Sequence, residues 1–246
     1  MESAMINNYT KGFSLVELTI WMGVAALILS ATVLSNTTSI KVEQQLNTYG
    51  DYEKIHRALE SFARLNKRLP CPADITLIET TSNFGIEGAT PGTCTGGNPA
   101  ANFDDSSNTV AGMVPVKTLN LPDSFAFDAH GNRITYHVDK RMTAADATDT
   151  YASNDTTIGS ITINDADAAA RTEKAIYALV SHGLDDHGAY TRSGVRANKG
   201  SVNTDQLENC DCTNTAGSAA FDATLVQRSF VDTADNDKFD DIVYYK

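Results

Sequence analysis

The chain has 246 residues, 41% hydrophobic and 20% charged, with 19 basic against 31 acidic side chains and a formal charge of −12. This composition is that of an ordinary globular protein, and the length admits one domain with or without an anchor. The acidity lies mostly in residues 69–246 (12 basic, 25 acidic), a surface that repels phosphate backbones and speaks against direct nucleic-acid binding.

The first twelve residues are polar or weakly apolar and end in Lys11-Gly12. An apolar run begins at Phe13 and continues to Leu34, which as a helix extends about 33 Å, near the roughly 30 Å of a hydrocarbon core. The spacing therefore predicts a transmembrane helix over 13–35. In a conventional secretory signal the cleavage site follows the apolar core, whereas here Gly12 precedes it. Lys11 is the only basic residue at the proximal end and favours a cytoplasmic leader over 1–12.

Glu17 is out of place in this run, because a carboxylate in an apolar helix costs several kcal/mol unless it is paired. Cleavage after Gly12 would create an α-amine on Phe13, one helical turn away. The Phe13 amine of a neighbouring copy would pair with Glu17 and set the axial register between helices.

Residues 36–68 read as an amphipathic continuation. Val42, Leu46, Tyr49, Tyr52, Ile55, Leu59 and Phe62 recur at helical spacing on one face. No proline interrupts 13–69, and Leu69-Pro70-Cys71-Pro72 ends the helix near Lys67. The predicted strands are 112–116, 133–138, 159–163, 175–181 and 241–245, with a short alanine-rich helix over Asp165–Glu173 capped by Asn164. The predicted fold is α+β: a long N-terminal helix, transmembrane then amphipathic, packed on an antiparallel β-sheet head over 69–246.

The N-terminal segment Lys11-Gly-Phe-Ser-Leu-Val-Glu-Leu-Thr-Ile20 resembles the cleavage and methylation motif of type IV pilins and type II secretion pseudopilins. The resemblance implies a pilin-like fold, prepilin-peptidase cleavage between Gly12 and Phe13, N-methylation of Phe13, and Glu17 as the assembly residue. Asp128-Ala-His-Gly-Asn-Arg133 with Tyr136, Ser181-His-Gly-Leu-Asp-Asp-His-Gly188 and Asp240-Asp-Ile-Val243 resemble, in the same order, three segments of major pseudopilins. The implied protein is a structural subunit of a pilus-like filament, in type II secretion or pilus assembly. Its location would be a single inner-membrane pass with a periplasmic head, then the filament. Its partners would be the peptidase/methylase, other subunits, the assembly platform and the membrane. The alternative is a minor or tip pilin, or an adhesin-like binding module that uses the helix as an anchor and presents Tyr151, Tyr190 and Phe221.

In major pseudopilins the loop before the final strand binds calcium, and the resemblance carries this to Asp185, with Asp240 or Asp241 closing the site. Hard carboxylate oxygens suit that ion. Four cysteines make an even set, and in an exported domain disulfides are expected. Cys71 pairs most simply with Cys94, leaving Cys210 to Cys212, while crossed pairing stays open. Zinc on Cys210, Cys212, His182 and His187 matches no common structural spacing. No nucleophile elbow, zinc-protease, phosphate-loop or dinucleotide motif is present, and no enzymatic activity is expected.

Overall fold

A computed structural model describes residues 14–88, 94, 108–144, 159–197, 200–212, 223–229 and 238–246. Helix α1 spans Leu15–Asn66, with side chains described up to residue 26 and again from 47. The chain divides into two compact units, Met1–Glu43 and Gln44–Lys246.

In the first unit, the described part of α1 is exposed on every side. Its first turn carries Glu17, and the Thr19 hydroxyl donates to the Val16 carbonyl at 2.8 Å. The expected membrane passage over 13–35 is corrected here. Among the described residues no helix is long and apolar enough to cross a membrane, and the single inner-membrane pass falls with it. Within the described stretch, residues 15–26, Glu17 places a carboxylate among the apolar side chains.

In the second unit, α1 buries Tyr52, Ile55, Leu59 and Ala63 completely, and Phe62 packs beside them. This is the distal half of the apolar stripe at three- and four-residue spacing. Lys67 ends the helix at φ 58°, its N–H donating to the Ala63 carbonyl at 2.8 Å.

Among the described residues seven strands follow: β1 Thr109–Met113, β2 Thr135–Asp139, β3 Ile161–Asn164, β4 Ala170–Ala175, β5 Tyr177–Ser181, β6 Thr224–Val226 and β7 Ile242–Tyr245. A short helix, α2 Thr204–Asn209, precedes β6. One sheet is antiparallel in the order β1-β2-β5-β7. The other has the order β4-β3-β6, with β3 antiparallel to β4 and parallel to β6. The expected single antiparallel sheet is thus corrected to two sheets, one of them mixed.

Period-two alternation explains how the layers stack. In β5, Tyr177 and Leu179 join the α1 side chains in the larger core, while Ala178 and Val180 face the other way. In β7, Ile242 and Val243 divide in the same manner. The second core is closed by Ile161, Ile163, Ala175 and Leu225 from the mixed sheet. The four-stranded sheet is therefore buried on both faces at its β5–β7 end.

The alanine-rich helix expected over Asp165–Glu173 is a turn followed by β4. Asp165 Oδ1 accepts from the N–H groups of Asp167 and Ala169, at 2.9 and 3.1 Å, and Ala168 takes φ 58°. A side chain that bonds its own downstream backbone competes with helix formation and makes a turn instead.

Candidate functional site

Two regions gather the residues singled out from the sequence, one in each unit. In the first unit, Leu15, Val16, Leu18, Ile20, Trp21, Met22 and Val24 are all exposed, from 42% at Val24 to 80% at Leu15. Single exposed apolar residues need no explanation, but seven within ten positions of one helix form an exposed apolar surface. Glu17 lies among them and is itself exposed. Gly12 and Phe13 lie outside the described residues, as do Tyr151 and Phe221. Tyr190 is 6% exposed, so its ring is not offered to a ligand.

In the second unit, the two interior segments that resemble pseudopilins meet. Asp128 Oδ1 accepts from the N–H groups of His130 and Asn132, both at 2.9 Å, which folds the turn before β2. Its Oδ2 accepts from the Ser181 hydroxyl at 2.6 Å, and the Asn132 amide donates to Asp186. Beside this turn Arg133 is fully buried and donates to three carbonyls: Thr191 at 2.9 Å, Ile75 at 2.6 Å and Arg192 at 2.8 Å.

Asp185, in the loop after β5, and Asp240 and Asp241, just before β7, are also brought together. Asp240 Oδ2 accepts from the N–H groups of Leu184 and Asp185, at 2.6 and 2.9 Å. The Gln206 amide of α2 donates to Asp240 Oδ1 and, at 3.1 Å, to Asp185 Oδ2. Asp185 Oδ1 accepts from the His187 N–H at 2.8 Å. Asp241 Oδ2 accepts from the Asn209 amide at 2.9 Å. Gly183 (φ +64°) is required here, because a Cβ would strike the Asp240 carboxyl and carbonyl.

Burial is the leading cause that raises the affinity of all three carboxyls for protons. Asp240 is pushed up to about 7 by burial and by the neighbouring Asp185, and Asp241 well above its ordinary value by burial and Asp240. Asp185 is raised by burial, against hydrogen bonds from His187 and Gln206. Behind them burial pushes His182 down to about 3; its Nε2 lies 3.1 Å from the Thr135 hydroxyl. Ser181 and His182 therefore engage different partners.

This arrangement does not fit calcium. The ion takes six to eight oxygens that converge on one point. Here every carboxylate oxygen of Asp185 and Asp240 already accepts from an N–H donor, which leaves Asp241 Oδ1 as the one oxygen of the three carboxylates without a hydrogen-bond partner. The Ser201 hydroxyl holds the Gln206 amide in this orientation through its Oε1, at 2.6 Å.

Cys71 is bonded to Cys94 and Cys210 to Cys212, with Cα–Cα separations of 5.1 and 5.2 Å. Among the described residues, one set of three His, Cys, Asp or Glu side chains brings its ligand atoms within 4.8 Å of one another: His187, Cys210 and Cys212. His182, grouped with these by residue type, does not belong to that set.

Gln206 and Asn209 were missed by sequence reasoning, and Asp128 and Arg133 were singled out only as members of a resembling segment, without their contacts. Asp128 was legible as a turn residue, but its bond to Ser181 spans 53 positions and leaves no local pattern. Comparison with protein-family models, with curated proteins and with solved structures gives no match.

Proposed function

We propose that this chain is a structural subunit of a type IV pilus-like filament, a pilin or pseudopilin. It is cut between Gly12 and Phe13, methylated at Phe13, and packed against further copies through the helix that follows. The observation that carries this reading is the exposed apolar run from Leu15 to Val24 with Glu17 inside it. Burying such a side chain contributes about 1.5–3 kcal/mol, so seven of them supply ample drive for association. The resemblance of residues 11–20 to the prepilin motif supports the same reading.

Glu17 gives that association a register. Packed among apolar side chains, the carboxylate needs a cation, and the α-amine created at Phe13 of a neighbouring copy provides one. A copy displaced along the helix would leave both charges unpaired. The partners in this reading are a prepilin peptidase/methylase, other pilin-type subunits and an assembly platform, in type II secretion or pilus assembly.

The test is expression in a host with a pilus or type II secretion apparatus, followed by mass analysis of the N-terminal peptide and of sheared filaments. The expected chain begins at methylated Phe13 and is present in the filament fraction. Glu17→Ala should be cut normally yet be depleted from filaments. An uncut chain, or normal filaments from Glu17→Ala, would refute this reading. Copy number in the sheared fraction separates a major subunit from a minor or tip subunit.

A further inference from the structure

We propose that Cys210, Cys212 and His187 form, when the two cysteines are reduced, a binding site for a zinc-class metal ion. The proposal is independent of the filament reading. Three observations carry it: the donor set, a backbone that positions both sulfurs without help from their bond, and local charge balance.

Two thiolates and an imidazole are a soft and borderline donor set that suits zinc, and three protein ligands leave a fourth position for water. The ligand atoms of the three residues lie within 4.8 Å of one another while the two sulfurs are bonded, and reduction frees the sulfurs to part around an ion beside His187. All three side chains are buried, Cys212 the least so at 8% exposure.

The sulfurs are held together by the end of α2. The Asp211 N–H donates to the Glu208 carbonyl at 3.1 Å, and the Cys212 N–H to the Leu207 carbonyl at 3.0 Å. Asp211 sits at φ 47°. These are the paired bonds and the left-handed residue of a Schellman helix terminus, with aspartate where glycine is usual. They fold Cys210 and Cys212 towards each other by backbone bonds alone, so reduction leaves the pair in place. The Cys210–Cys212 bond closes a ring with a single residue between the cysteines, which constrains the unfolded chain far less than Cys71–Cys94 does. Gly188 packs against this pair, its Cβ position meeting both sulfurs.

Charge around the set is balanced. Arg196 donates to the Cys210 carbonyl and, at 3.2 Å, to that of Gly188, which places a cation where thiolates are favoured. Binding has one local cost. The Ser201 N–H reaches His187 Nδ1 at 3.3 Å, and this long bond is given up whichever ring nitrogen takes the ion.

For the test, the full chain is reduced with a trialkylphosphine. Phosphine and one water cleave the disulfide, phosphorus is oxidised to the phosphine oxide, and the sulfurs gain two electrons and leave as two thiols. Zinc then takes both as thiolates and releases two protons. Zinc is titrated against a chromophoric chelator, and cobalt(II) is added to a parallel sample to read its thiolate charge-transfer absorption. Circular dichroism monitors the fold throughout.

The expected result is one ion per reduced chain and none per oxidised chain. The reduced Cys210→Ser/Cys212→Ser variant, which keeps Cys71 and Cys94, should bind none. His187→Ala should bind at least about tenfold more weakly. The proposal is overturned if the reduced chain binds no zinc, whether folded or not. It is equally overturned if the double serine variant binds as the wild type does, or if His187→Ala leaves affinity and cobalt spectrum unchanged.

Discussion

The Ser181 hydroxyl donates to Asp128 Oδ2 at 2.6 Å and ties the last residue of β5 to the turn that precedes β2. Both groups are buried, so removing either leaves the other without that bond in a region with little water. Ser181→Ala should cost about 1–2 kcal/mol and Asp128→Ala more, since two backbone N–H groups lose their acceptor as well. Urea unfolding of the two single variants and the double should give a coupling of about 0.5–3 kcal/mol. Strict additivity would show that the bond contributes nothing.

Arg133 should be hard to replace. Its guanidinium serves three carbonyls from two separate segments, and no shorter or single-pointed cation reaches all of them. Arg133→Met is expected to lower stability by about 2–4 kcal/mol, and Arg133→Lys to recover only part of it. Thermal unfolding checks both, and full recovery by lysine would contradict the three-carbonyl account.

Acid and base should stress different groups of the second unit. Burial holds His137 down at about 4, below its ordinary value of 6.5. The unfolded chain therefore takes up a proton that the folded chain refuses, and stability falls as the pH drops from 6.5 towards 4. Asp240 is the reverse case. Its folded value of about 7 exceeds the ordinary 3.8, so its contribution is complete below 3.8 and is lost as the pH rises towards 7. Each group contributes a slope of at most about 1.4 kcal/mol per pH unit. The two slopes oppose each other over much the same window, so between pH 4 and 6.5 the melting temperature should rise more steeply with pH in Asp240→Asn and less steeply, or fall, in His137→Gln.

The two disulfides should differ in what their loss costs. Cys71–Cys94, at a separation of 23, should contribute about 3 kcal/mol in the chain-entropy view, and Cys210–Cys212 about half of that. Denaturant midpoints of Cys71→Ala/Cys94→Ala and Cys210→Ser/Cys212→Ser measure the difference. Equal losses would mean that loop length is not what decides it.

Calcium should leave the aspartate cluster unmoved. With the oxygens of Asp185 and Asp240 committed to N–H donors, the melting temperature of the chain should be the same in calcium and in chelator. A rise of several degrees in calcium would require those oxygens to turn towards an ion.

The local pattern carried much of this fold. The stripe Tyr52, Ile55, Leu59 is visible in sequence because helix geometry repeats within the segment, and the structure buries all three. The β5 and β7 strands were legible for the same reason, since apolar runs between turn residues mark buried strands. The stretch after Asn164 misled because alanine favours helix, while the aspartate side chain that organises the turn acts through hydrogen bonds that composition does not display. The parallel pairing of β3 with β6 and the meeting of Asp185, Gln206 and Asp240 join positions far apart in the chain. Nothing in either local segment announces its partner. The length of the N-terminal apolar run was legible too, but length on a sequence is not the same as a membrane-spanning helix among the described residues.

Strand β5 gives Tyr177 and Leu179 to one core and Ala178 and Val180 to the other. A partition that is load shared by both compartments cannot be removed from one alone. The amides of β5, bonded to β2 on one edge and β7 on the other, should therefore exchange with solvent only through opening of the whole second unit. The mixed sheet, with β4 exposed along most of its length, is free to open earlier. The last part of this protein to let water in should be the strand that has no outside.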